Sequence, residues 1–448
     1  MPGSTAEDTT SADLNDNSSG GAAAAGGAPA SRVRGRHRTL RRRLLPLLAI
    51  LGPGVIAASA GNDAGGIATY ASAGAQFRYR TLFFMLIVTV AYAVVQEMVA
   101  RLAAFTGKGL AALIREEFSL RWTGLAMGCF AVANLGLVVT EFAGIATAFG
   151  LFGVSRYWSV PVAALVIWAL VVLGSYRYAE RVFMMLVLAF LTYPMAMILS
   201  RPHWGEVGSN LVIPHMQTSS AFILLGVALI GTTITPYIQL YEAGAIVDRG
   251  IGPKEFHYAR IDAIAGAVLS DVVSACIIVA TGAAIGGTGP LKSAAAAAEA
   301  LGPIAGSAAK YLFGLGLLGA SALAGAVVPL STSYALAEAI GVERSVSNRF
   351  TEAPLFLGLF TGQIILGALV VLVPGNLITL IINTQVLEGI ITPITLAFVL
   401  ILANSRTLLG SHANGPWART LGLASVLGVG GFSAFLVLQQ LGSALGIH

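Results

Sequence analysis

Of 448 residues, 56% are apolar and 10% are charged, the mean hydropathy is +0.80 and the formal net charge is +5. A soluble chain carries roughly 25% charged residues, so a water-soluble globular fold is excluded. The charges gather between long apolar runs, as in a multi-pass membrane protein.

In chain order, the first segment is a tail, residues 1–43. Met1 to Pro29 is rich in Ser, Thr, Gly, Ala and Asp and reads as disordered, with almost nothing to bury. Arg32, Arg34, Arg36, Arg38, Arg41, Arg42 and Arg43 follow and abut the first apolar run, which points to an anchor on anionic lipid and not to nucleic acid. That run begins too late and is too long for a cleaved signal peptide.

A helix needs about 20 apolar residues to cross the hydrocarbon core. Spans are predicted near 45–76, 82–104, 123–150, 157–175, 182–200, 220–246, 261–287, 311–337, 354–374, 376–403 and 418–444, eleven in all. They divide as a first five-helix half (44–200), a second (201–403), and an eleventh helix with the C-terminus (404–448). Leu291 to Leu301 reads as a short Ala-rich external helix. Cys129 and Cys276 both lie inside apolar runs; they make neither a disulfide framework nor a zinc site, and read as core packing. With the N-terminus in the cytoplasm of a cell-membrane protein, 20 of the 26 Lys and Arg residues fall on the inner side and six outside, a strong positive-inside bias.

Two spans are interrupted. The first contains Ser59-Ala60-Gly61-Asn62-Asp63-Ala64-Gly65-Gly66 and the sixth Gly231-Thr232-Thr233-Ile234-Thr235-Pro236-Tyr237. These are corresponding positions of two five-helix halves, the arrangement expected of an inverted-repeat transporter with a midplane site. Gly permits backbone conformations that other residues avoid, and Pro236 removes a donor and clashes with the preceding turn. The carbonyls so freed need partners inside a membrane, and a cation supplies one. Asp63 near mid-span costs about 2.5–3.5 kcal/mol when ionised, which a bound cation offsets. The competing explanation is a Gly/Pro kink with Asp63 bonded to a neighbouring helix.

The residues around these breaks resemble the NRAMP divalent-metal transporters. Gly52-Pro53-Gly54, eight residues, then Asp63-Ala64-Gly65-Gly66-Ile67-Ala68-Thr69 is similar to that family's first helix, whose pattern is Asp-Pro-Gly-Asn. Ala100-Arg101-Leu102 and Thr106-Gly107-Lys108-Gly109-Leu110-Ala111 resemble its second helix and the loop after it, and Thr232 to Pro236 falls on its sixth-helix Ala-Thr-Val-Met-Pro-His. Asn383-Thr384-Gln385 resembles the polar stretch of the tenth helix, so the likeness spans roughly residues 45–403. It implies an all-α, LeuT-type inverted repeat of five plus five transmembrane helices with an eleventh, helices one and six being broken. The metal site it implies comprises Asp63, Gly66, Thr232, Thr235 and Gln385.

The departures point to the NRAMP-related magnesium transporters, a prokaryotic branch. The family's Asn is Gly66 here, its site Ala is Thr232, its Met is Thr235 and the His after the Pro is Tyr237. A second His falls on Glu242, and the third-helix acidic pair is half kept, as Glu141 with Gly144. None of the nine Met residues lies in either broken helix. Thioether sulfur favours softer metals, whereas carboxylate, carbonyl, hydroxyl and water suit Mg²⁺, Ca²⁺ and Mn²⁺. Mg²⁺ keeps several waters and takes one or two carboxylates, and Gly66 and Thr235 are expected to leave room for it.

All six His residues fall outside the spans, so no imidazole relay crosses the membrane. The expectation is a monomeric importer of Mg²⁺, with Mn²⁺ as second substrate, working by alternating access with weak or no proton coupling and without a resident cofactor. The alternatives are a proton-coupled Mn²⁺/Fe²⁺ symporter and a Na⁺-coupled organic-solute symporter. Glu97 reads as structural, while Asp271 and Glu141 stay open between structure and pathway. No phosphate-binding loop, nucleophile elbow or metal-hydrolase helix is present, so no enzyme is expected.

Overall fold

The computed structural model describes residues 62–172, 192–215, 217–291, 293–298, 302, 306, 309–342 and 353–444. The tail, the first part of the first span with Gly52-Pro53-Gly54, and residues 182–191 of the fifth lie outside the described residues. The described chain is helical: α1 (Ala64–Phe77), α2 (Leu82–Thr106), α3 (Leu110–Glu117), α4 (Leu120–Leu151), α5 (Arg156–Val172), α6 (Thr192–Leu199) and α7 (Trp204–Val212). It continues with α8 (Ser220–Thr233), α9 (Pro236–Asp248), α10 (Phe256–Ile285), α11 (Ala294–Ala298), α12 (Ala309–Ile340), α13 (Pro354–Leu372) and α14 (Leu377–Asn404). Two further helices are α15 (Arg406–Leu409) and α16 (Pro416–Ala444).

Among the described residues, eight stretches are long and apolar enough to cross a bilayer, counting Ser220–Asp248 as one, and Arg156–Val172 is a shorter apolar helix. Several helices overrun the predicted spans. Phe256–Ile285 has 30 residues, about 45 Å at 1.5 Å per residue, because its polar first turns continue the backbone ladder beyond the hydrocarbon. Of the predicted external helix, Ala294–Ala298 is helical, and residues 292 and 299–301 lie outside the described residues.

The termini are set by local chemistry. Ser219 caps α8 by accepting from the Phe222 amide, and the Asn376 carboxamide caps α14 by accepting from Thr379 at 3.0 Å. Pro236 and Pro354 occupy first-turn positions of α9 and α13, where their missing N–H costs nothing. Gly107 closes α2 at φ 65°, a left-handed residue that lets the chain turn into α3.

Helix α4 lies at the centre, packed on α12, α14, α13 and α5, while α10 packs on α1, α2 and α6. Helix α8 lies against α14, and there the backbones touch: a Cβ on Gly231 would overlap the Gln385 carbonyl, and one on Gly389 the Val227 carbonyl. Small residues bring membrane helices this close when no solvent drives them together. The stretch Ser220–Asp248 is 89% buried in its apolar window and Pro416–Leu441 only 22%, so the sixth span is core and α16 is peripheral. Helix α14 runs through Pro393, which has no N–H for the Gly389 carbonyl. The Ser433 hydroxyl of α16 donates to that carbonyl at 2.8 Å instead.

Loop contacts sort the helix ends into two sets, as alternating spans require. Arg78 reaches the Gly286 carbonyl at 3.3 Å and Arg156 the Gly375 carbonyl at 3.1 Å. At the other end, Arg101 donates to the His412 carbonyl at 3.0 Å and to the Asn414 carboxamide, and Arg115 to the Glu338 carbonyl. Glu97 bridges Arg101 at 3.1 Å and Arg260 at 3.4 Å, a structural tie between α2 and α10.

Candidate functional site

Helix α1 is capped by its own acid at the position of the first predicted break. Asp63 precedes α1 in extended conformation and its Oδ1 accepts from the Gly66 amide at 2.8 Å, so the carboxylate sits at the positive end of the half-helix. Its Oδ2 has no hydrogen-bond partner, and the side chain is buried. Asp63 is bonded to its own helix, and Glu141 of the neighbouring α4 comes beside it. Asn62 beside it is pinned to α10: its amide donates to Ser270 Oγ at 3.3 Å and its Oδ1 accepts from Ser274 Oγ at 3.2 Å.

The second break is neutral. Helix α8 ends at Thr233, Ile234 leaves helical geometry at φ −110° and ψ 57°, and Thr235 is extended before Pro236 restarts the helix. Pro236 has no amide to bond the Thr232 carbonyl. The hydroxyls of Thr232 and Thr235 are fully buried and also lack partners. Tyr70 of α1 joins the two breaks, its hydroxyl sharing a 3.0 Å hydrogen bond with Thr233 Oγ1.

Helix α14 lines both. The Gln385 side chain lies over Gly65, where a Cβ would overlap its amide nitrogen. Its Nε2 donates to Thr140 Oγ1 at 3.4 Å, and Oε1 is unpartnered. Two turns on, Thr392 Oγ1 donates to the Ile234 carbonyl at 3.3 Å. Between them stands Glu388, fully buried with both carboxylate oxygens unpartnered. From α4, Glu141 comes beside Asp63 and close to the Ala64 amide and Ser321 hydroxyl, yet no hydrogen bond of good geometry reaches either of its oxygens. Gly144, one turn on, is required there: a Cβ would overlap both Ser321 and Ala64.

The site residues named from sequence therefore converge. Asp63 and Gly66 form one break, Thr232 and Thr235 the other, and Gln385 lies over the first. Asp63 is 2% exposed and Thr232, Thr235 and Gln385 0%, a closed arrangement among the described residues. Among the described residues, no three His, Cys, Asp or Glu side chains gather closely enough to hold a metal by themselves. The other oxygen groups beside the two breaks are backbone carbonyls, the Thr232 and Thr235 hydroxyls and the Gln385 amide. Further along α9, Glu242 stands near Gln96 and Asp262, and Gln239 is fully buried.

Sequence reasoning missed Glu388, Thr392 and Asn62. The first two had a signal, since Gln385, Glu388 and Thr392 recur at three and four residues and so share one helix face.

The family model for natural resistance-associated macrophage protein-like sequences matches residues 54–439. The chain belongs to the Nramp family. Among its curated relatives is a divalent metal cation transporter MntH of Aeromonas hydrophila, 28% identical over 407 residues and covering 88% of this chain and 96% of that one. The MntH of Ralstonia nicotianae is 30% identical over 392 residues, covering 82% and 86%. Among solved structures, the manganese transporter of Eremococcus coleocola superposes with a TM-score of 0.73 at 19% identity, over 94% of this chain and 90% of that one. A nucleobase-cation-symport-1 family transporter in a closed conformation reaches 0.51 at 15% identity, over 87% and 93%. These likenesses show the fold. This Nramp chain is an all-helical, multi-pass membrane protein of the LeuT type.

Proposed function

We propose that the protein imports a divalent metal ion across the cell membrane by alternating access, with Mg²⁺ as the main cargo and Mn²⁺ as a second. Asp63 contributes charge through Oδ2 while Oδ1 stays on the Gly66 amide. The Thr232 carbonyl, the Thr235 hydroxyl and the Gln385 amide oxygen offer neutral ligands, and Gly66 keeps side-chain bulk out of the first break. The observation that carries the reading is the buried Asp63 Oδ2, which no hydrogen bond satisfies, together with a second break that offers only oxygen ligands. Sulfur, which favours softer metals, is absent from both broken stretches. The basic bias of the loops supports a cytoplasmic N-terminus. The two halves, 44–200 and 201–403, are read as the inverted repeats, in a monomer.

Proton coupling is weak or absent in this reading. His257 and His412 sit at helix ends, and His412 stacks on Phe105. A second reading, proton-coupled Mn²⁺ uptake, draws support from the manganese and divalent-metal transporters the chain resembles. One experiment separates them: initial uptake of Mg²⁺, Mn²⁺ and Ca²⁺ in competition, in proteoliposomes carrying a pH dye. Saturable Mg²⁺ entry competed by Mn²⁺, without internal acidification, is expected. Acidification in step with metal entry, or Mn²⁺ entry with no Mg²⁺ entry, overturns the first reading in favour of the second.

A further inference from the structure

We propose that Glu388 is a third anionic residue of the cation pathway, holding the divalent ion through its water shell and weighting the site toward doubly charged ions. This rests on the cation-transport reading above.

Glu388 lies one turn from Gln385 and one turn from Thr392 on the face of α14 that meets both breaks. It stands within electrostatic reach of Asp63, Glu141 and Tyr237. The carboxylate is 0% exposed and neither oxygen has a partner. A carboxylate placed for structure is expected to use the hydroxyls around it, yet these point elsewhere. Thr392 donates to the Ile234 carbonyl and to the Glu388 backbone carbonyl at 2.8 Å, and Ser433 to the carbonyls of Gly389 and Val429. No Lys, Arg or His pairs with Asp63, Glu141 or Glu388 among the described residues.

A second, independent sign of a ligand is the Gln385 Oε1, fully buried and unpartnered on the same face, with the rest of its amide held by Gly65 and Thr140. The three carboxylates are not gathered into a direct ligand set. An ion resting on Asp63 therefore meets Glu388 through bound water, the form in which Mg²⁺ usually keeps much of its shell. Such a contact forms when the closed arrangement opens. Three acids without a basic partner also repay a doubly charged ion more than a singly charged one, since attraction grows with the product of charges.

The test compares full-length wild type, Glu388→Gln and Glu388→Asp in proteoliposomes, for Mg²⁺ and Mn²⁺ uptake and for inhibition by cobalt(III) hexammine, whose fixed shell imitates a hydrated ion. The expected result for E388Q is a KM for Mg²⁺ raised about tenfold with kcat within about twofold. Hexammine inhibition weakens in parallel, E388D recovers most of both, and the metal-free melting temperature of E388Q does not fall. A KM for E388Q within about twofold of wild type overturns the proposal. Should E388Q not fold, E388D decides: a shifted KM at unchanged melting temperature supports it and an unchanged KM overturns it. Wild type that moves neither ion sinks the transport reading itself, whereas a transporting wild type matched by E388Q sinks only the role of Glu388.

Discussion

The two helix breaks solve the same problem by opposite means. At Asn62–Asp63 a charged group caps the half-helix that follows, and the neighbouring Asn62 is tied to Ser270 and Ser274. At Ile234–Thr235 it uses no charge: a proline denies the Thr232 carbonyl its donor, and a threonine from α14 satisfies the Ile234 carbonyl. The first break holds the anion and is fixed to α10; the second offers neutral oxygens and is fixed to α14. In the proposed function, a cation between them would have its charge neutralised on one side and its geometry completed on the other. Separating these duties lets the metal preference change at the second break without loss of the charge at the first.

The largest effect is expected where the charge sits. Asp63→Ala should abolish uptake in proteoliposomes, while loss of the cap costs about 0.5–2 kcal/mol of stability, so the variant should still purify folded. Retained Mg²⁺ flux in it breaks the division of roles. Next, Thr235→Met places a thioether at the neutral break. The ratio of Mn²⁺ to Mg²⁺ uptake should rise about tenfold, near 1.4 kcal/mol, read by competition flux; an unchanged ratio says that the second break does not set preference.

Thr392→Val removes the donor to the Ile234 carbonyl and keeps the shape. About 1–3 kcal/mol of unsatisfied polar cost is expected there, seen as a lowered melting temperature together with a several-fold fall in kcat. The smallest effect belongs to Ser433→Ala, which leaves the Gly389 carbonyl opposite Pro393 without its donor. Stability should fall by about 1 kcal/mol with the KM for metal unchanged, since α16 is peripheral.

Much of the fold was legible because hydropathy and basic-residue bias report directly on a bilayer. Among the described residues, eight of the apolar runs from Leu82 onward are helices long enough to span, and Gly and Pro marked the break in the sixth. Boundaries were less legible: Phe256–Ile285 extends past its apolar window, since a helix ends where its hydrogen bonds end and not where hydrocarbon does. At the site, Asp63 was visible as a single acid beside glycines, and Thr235 as one of three threonines between Gly231 and Pro236. Asn62 was not, because its role depends on two serines more than 200 residues away. Glu388 escaped for a related reason. It lies in an unbroken helix with no local signal of its own, and only the packing of α14 against both breaks gives it a place in the site.

The most direct test is to locate the ion. Anomalous scattering from crystals of the full-length protein loaded with Mn²⁺ should give one strong peak between the Asp63 carboxylate and the Thr232–Thr235 segment, lost in Asp63→Ala. A peak remote from both breaks, or one that persists unchanged without that carboxylate, contradicts the account.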